Sequence, residues 1–188
     1  MRILLASQSP RRRELLKTIF ERFDVCVTEV DENYAGITPE KTVEEIAHRK
    51  LLMASSLYTG YDLIIAADTL VFYNGLLLGK PKDREHAVFM LELLQSKTHS
   101  VYSGIAVQYN AQIITNTARS DVTFNALNNQ QINEYINTYD LMDKAGAYAI
   151  QDGVVVQSYT GEYSNIMGLP IALLKSTLFE LGFKQFAP

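Results

Sequence analysis

The chain alternates between short unbroken apolar runs and longer stretches in which apolar residues recur every three or four positions. Runs of the first kind read as buried strands, and stretches of the second kind as amphipathic helices. Arg2 to Ala6 has strand length, and Ser9-Pro10 then reads as N-cap and first helical residue. Leu15, Leu16, Ile19, Phe20 and Phe23 share one face of the helix so predicted. Phe23 to Val27 is strand-like, and Asp31 to Pro39 is polar and loop-like. A second helix is predicted from Pro39 or Thr42, with Thr42 and Glu45 as a capping box. Its apolar stripe is Val43, Ile46, Ala47, Ala54 and Leu57, and Lys50 falls on that same stripe.

Leu63 to Phe72 is nearly continuous in apolar residues, the pattern of a strand covered on both faces. Asn74-Gly75 signals a tight hairpin, Leu76 to Leu78 return, and Gly79-Lys80-Pro81 ends the unit. A third helix is capped near Asp83 and carries Ala87, Leu91 and Leu94 inward. Ser100 to Tyr109 and Ile113 to Phe124 read as strands, and Ile132, Tyr135, Ile136 and Tyr139 mark a fourth helix. Gly146 to Gln151 reads as a loop or short turn, and Val154 to Tyr159 as a strand. Pro170 opens a last helix through Leu173, Leu174, Thr177 and Leu181, stopped by Gly182. This order of β-α units and hairpins predicts an α/β protein, a mixed β-sheet flanked by helices.

Composition adds limits rather than structure. The 188 residues are 47% hydrophobic and 20% charged, ordinary for one domain with a proper core, and the expectation is a single domain over 1–188. A net charge of −4 and a pI near 5.4 disfavour nucleic acid as a partner, since a general binder carries a basic face. The single cysteine, Cys26, excludes an internal disulfide and reads as a small buried apolar residue. No apolar run reaches the length of a membrane span, and no secretory leader is visible, so no membrane association and a cytoplasmic location are expected.

Three constellations carry chemistry. Ser7-Gln8-Ser9-Pro10-Arg11-Arg12-Arg13 puts three arginines in the first turn of a helix, the end where the macrodipole disfavours cations. A bound anion would relieve that conflict and would find free N–H groups, serine hydroxyls and guanidinium forks. Taken alone, the pattern leaves open a phosphate site or three solvated arginines. Asp68 lies inside the apolar run, where an unpartnered carboxylate would cost several kcal/mol, so a cation is expected beside it. Lys50, Lys80 and a divalent metal are the candidates. Asp31-Glu32 is an acidic pair, and Glu32 with Asp68 would suffice for magnesium completed by phosphate oxygens. Gly75 to Lys80 imitates a phosphate loop but is one residue short and has Pro81 where Ser or Thr is needed. His48, His86 and His99 are too scattered for a zinc site.

Together these pieces resemble the Maf family of nucleotide pyrophosphatases over nearly the whole chain. Leu5-Ala6-Ser7-x-Ser9-Pro10-Arg11-Arg12-x-Glu14-Leu15-Leu16 is similar to the family's opening motif. Asp31-Glu32, Ala47-x-x-Lys50, Ala67-Asp68-Thr69 and Lys80-Pro81 follow in order, then Asp143-Lys144-Ala145-Gly146-Ala147-Tyr148-x-Ile150-Gln151 and Gly168-Leu169-Pro170. The resemblance implies a bilobed fold with a central cleft, often a homodimer. It also implies hydrolysis of a nucleoside triphosphate, dTTP or UTP, to the monophosphate and pyrophosphate with Mg²⁺ or Mn²⁺. By that analogy Asp68 activates water. The mechanism expected from the residues has Glu32 and Asp68 hold the metal, Lys50 and Lys80 assist catalysis by screening and holding the triphosphate, and Ser7, Ser9, Arg11 and Arg12 hold substrate. Arg11, Thr69 and Gln151 match positions that set base preference. Ala149 and Asp152 depart from the glycines usual at their positions. The alternative is a nucleotide-binding regulator of septum formation without turnover.

Overall fold

A computed structural model describes residues 1–32 and 38–186; part of the loop expected over 31–39 therefore lies outside the described residues. A sheet is built from β1 (Ile3–Ala6), β2 (Asp24–Cys26), β3 (Leu63–Tyr73), β4 (Leu76–Leu78), β5 (Thr98–Tyr109), β6 (Gln112–Phe124) and β7 (Val156–Thr160). The strand order is β2-β1-β3-β5-β6-β7, with β4 paired to the far end of β3. β1 pairs in parallel with β2 and β3, and every other pairing is antiparallel, so the sheet is mixed as expected. Asn74 and Gly75 at the β3–β4 turn have φ of 47° and 82°, the paired positive values of a type I′ hairpin.

Alternation along β3 divides its side chains between two layers. Leu63, Ile65 and Ala67 meet Leu16 of α1 (Pro10–Lys17) and Leu174 and Leu178 of α6 (Ile171–Glu180). Ile64 and Ala66 face the other way, onto Ala47, Leu51 and Ala54 of α2 (Pro39–Leu57). At its far end β3 joins a separate core, where Val71, Val101, Val122 and Phe124 pack on α3 (Arg84–Leu94) and α4 (Asn129–Thr138). One sheet thus supports two cores, the bilobed arrangement, and the cleft opens between them.

Several local expectations need correction. α1 stops at Lys17, because Thr18 turns its hydroxyl and its N–H back onto Leu15 O. Ile19, Phe20 and Phe23 still join the core, but from the following turn. The cap of α2 is Thr38, which accepts from Lys41 N, and not Thr42. Thr42 sits inside the helix and donates to Thr38 O. Leu57 is exposed, not part of the buried stripe. A short helix, α5 (Tyr163–Met167), was not anticipated at all. Among the described residues no helix is long and apolar enough to cross a membrane.

Candidate active site

Asp68 is an even-numbered member of β3, so it points to the α2 side with Ile64 and Ala66. α2 lies unusually close there. Gly104 is Asp68's register partner on β5, and a Cβ built on it would stand 2.5 Å from the backbone carbonyl of Val43. Two turns further along α2, Lys50 is buried on the face that carries Ala47, Leu51 and Ala54. Its ammonium donates to Asp68 Oδ1 at 2.7 Å and to Glu32 Oε1 at 2.7 Å. The cation that the buried Asp68 demanded is therefore Lys50. Burial alone would raise the Glu32 carboxyl, but the hydrogen bond from Lys50 and the charges of Lys50, Lys80 and Arg12 outweigh it and hold it below its ordinary value.

Thr69 is the next residue and points to the opposite side, toward α1. There Arg12 donates Nε to Gly168 O at 2.7 Å, Nη2 to Thr69 Oγ1 at 3.0 Å and Nη1 to Ser7 Oγ at 3.4 Å. Burial, reinforced by Arg11, pulls the Arg12 guanidinium below its ordinary value, with Asp68 and Glu32 opposing. It remains charged, as guanidinium does in proteins. Ser103 Oγ gives its proton to Asn165 O, so the Thr69 hydroxyl has two protein acceptors for its own proton, Ser103 Oγ at 2.9 Å and Gly168 O at 3.4 Å. With that proton held by the protein and one lone pair taken by Arg12, Thr69 offers a ligand its remaining lone pair. Ser7 Oγ accepts from Ser9 N and Arg12, which leaves its own proton for a ligand. Ser9 caps α1 through Arg12 N, as predicted.

Arg11 crosses the cleft. Its guanidinium meets Asp143 Oδ2 at 3.1 Å and Asp143 O at 3.3 Å, and Lys144 holds the other oxygen of Asp143 at 2.6 Å. The turn Ile150–Asp152 presents Gln151 to the same cleft. Tyr135 of α4 holds that turn by donating to Asp152 Oδ2 at 2.6 Å while accepting from Ala149 N at 3.2 Å. Asp152 thus ties the turn to the fold. Gly146, at φ 72°, donates its N–H to Gly79 O and sets Lys80 and the 145–149 segment side by side.

All ten site residues expected from the sequence border one cavity of about 590 Å³: Ser7, Ser9, Arg11, Arg12, Glu32, Lys50, Asp68, Thr69, Lys80 and Gln151. Asp143, Lys144, Tyr148 and Gly168 join them without having been assigned roles, although all four stand in quoted motifs. Among the described residues no group of three or more His, Cys, Asp or Glu forms a metal cage. Glu32 and Asp68 converge as two hard oxygen donors on one cation position. That donor set fits Mg²⁺ or Mn²⁺ completed by ligand oxygens and does not fit a soft metal.

Fold and site together define a mixed α/β protein with an anion-receptive cleft, whose floor is a buried lysine between two carboxylates. The profile of the family described as Maf-like protein matches residues 2–181, and the chain belongs to that family. A protein of Clostridium novyi named dTTP/UTP pyrophosphatase is 41% identical over 97% of this chain and 98% of its own length. One of Clostridium botulinum with the same name is 44% identical over 96% and 97%. A solved HAM1 protein from Coxiella burnetii aligns at TM-score 0.48 with 15% identity, covering 96% of this chain and 99% of that one.

Proposed function

We propose that this protein hydrolyses dTTP and UTP to the monophosphate and pyrophosphate in the cytoplasm. The observation that carries the reading is the triad of Asp68, Lys50 and Glu32 at the floor of a cleft walled by Arg11, Arg12 and Lys80. The two full-length relatives above carry that activity in their names, which supports the reading.

Each residue has a part that follows from its surroundings. Ser7 and Ser9, with the first turn of α1, receive phosphate oxygens, and Arg12 enters that contact already oriented by three acceptors. Lys80, whose charge reaches Glu32 in the same cavity, turns to the leaving pyrophosphate. Asp68 orients a water and takes its proton as it attacks the α-phosphorus. Lys50, within 2.7 Å of Asp68, moves onto the phosphate and stabilises the charge that builds there. A divalent metal bound at Glu32 and Asp68 would supply Lewis-acid neutralisation of the phosphate oxygens. Thr69, with a lone pair to offer, and Gln151 face the base. An imide N–H, present in uracil and thymine, suits an acceptor, and rejection of bases lacking it would be strong. A homodimer belongs to the same proposal, and light scattering of the purified chain tests it.

The central test incubates the pure protein with a panel of triphosphates plus Mg²⁺ or Mn²⁺ and assays pyrophosphate against orthophosphate. Pyrophosphate from dTTP and UTP, reduced at least 100-fold in Asp68→Asn with nucleotide binding retained, is the expected result. Full activity in Asp68→Asn would sink its role. Binding of triphosphate with no turnover of any would favour a nucleotide-binding regulator.

A further inference from the structure

The same geometry speaks to how the metal arrives. We infer that Lys50 occupies the cation position of the free protein, so that a divalent ion enters with the triphosphate and not before it. This rests on the nucleotide reading above and concerns the order of events at that site.

Two carboxylate oxygens, Glu32 Oε1 and Asp68 Oδ1, converge on one ammonium at 2.7 Å each. A metal bound by the same two oxygens would stand about 2.0–2.1 Å from each, in the space Lys50 Nζ now fills. Metal and ammonium therefore compete for those two oxygens. Exchange of one for the other is unfavourable in the free protein for a local reason. The Lys50 side chain is only 10% exposed, and it leaves α2 between Ala47, Leu51 and Ala54, all fully buried. Pushed off its carboxylates, the ammonium would be left part-desolvated, without an anion and next to a dication. Among the described residues, the one further carboxylate that lines the cavity, Asp143, offers no second home, because it is already held by Arg11 and Lys144.

A triphosphate changes both sides of that exchange. Its oxygens give the displaced ammonium a new partner, and they complete the coordination that two carboxylates cannot. Metal and nucleotide therefore strengthen each other's binding by the same factor, as linkage requires. Lys50 is the element that couples them: in the free protein it excludes the metal, and in the complex it contacts phosphate.

The test measures Mn²⁺ bound to the full chain by electron paramagnetic resonance. Measurements are made alone and with a dUTP analogue whose α,β-bridging oxygen is replaced by NH, after subtraction of the Mn²⁺–analogue complex in solution. Wild-type protein is expected to hold Mn²⁺ at least tenfold more tightly with the analogue present. Lys50→Met keeps the packed stem and lacks the charge, so it is expected to bind Mn²⁺ alone at least tenfold more tightly than wild type. Lys50→Gln serves the same comparison if the methionine variant does not fold. Wild-type protein that takes up Mn²⁺ equally well with and without analogue overturns the inference, as does a variant that gains no affinity for the free ion. An analogue that fails to bind under any condition overturns the nucleotide reading instead, and the metal-only comparison of variant with wild type then decides the role of Lys50.

Discussion

At the scale of single residues, the buried polar groups are the ones with measurable consequences. His99 is packed edge-on against Phe124 and Tyr148 and shares a hydrogen bond of 2.9 Å with the Tyr148 hydroxyl. Burial, only partly opposed by Asp121, lowers its pKa from 6.5 to about 4. The unfolded chain takes up this proton below about pH 6.5, whereas the folded one resists until about pH 4. The contribution to stability is therefore complete above pH 6.5 and is lost as pH falls toward 4, roughly 2 kcal/mol of it between pH 7.5 and 5. Glu32 and Asp143, whose carboxyls are lowered, act only at more acid pH. Urea denaturation at pH 7.5 and 5 should show that loss in wild type and a flatter response in His99→Gln. An equal loss in the variant would assign the effect elsewhere. The need for a cation at Asp68 was legible, because an acid inside an apolar run cannot stand alone. Which cation it takes was not, since Lys50, Lys80 and a metal satisfy the same electrostatics. The acceptors that orient Arg12 were equally hidden: Thr69 and Gly168 lie 57 and 156 residues away in sequence.

At the scale of elements, hydrophobic period located every long strand and helix, and the errors cluster where local hydrogen bonding decides. Thr38 outcompetes Thr42 as the cap of α2 because Pro39 already begins the helix, a choice between two threonines that periodicity cannot make. α5 is one turn and a half held by Glu162, Ser120 and Asn165 rather than by its own apolar face, so it left no periodic trace. The seat of α2 depends on an absence: Gly104 has no Cβ to strike Val43. Gly104→Ala should cost about 1–3 kcal/mol of stability as an overpacked contact. Because the same shift moves Lys50 relative to Asp68, kcat should fall in the variant more than KM rises. Steady-state kinetics beside thermal denaturation would separate the two, and a stability loss with unchanged kcat would show that the displacement does not reach Lys50.

At the scale of the whole molecule, the sequence suggested a mixed sheet with helices on both sides but not the order of its strands. Strand order depends on pairings between distant segments, and nothing in the local pattern says that β3 lies between β1 and β5. The sequence resemblance did anticipate two lobes with a cleft between them. The structure adds how they are joined: β3, β5 and β6, of 11, 12 and 13 residues, run unbroken from one core to the other. Mechanically this is a beam rather than a hinge. A jaw swings where few interactions cross, but here every backbone bond of three paired strands would have to flex together. Ligand entry and departure then fall to the parts mounted on the beam: the Arg11–Asp143 bridge, the Ile150–Asp152 turn and the swing of Lys50. Small-angle scattering should give the same radius of gyration with and without bound nucleotide. A contraction on binding would mean that the beam bends after all.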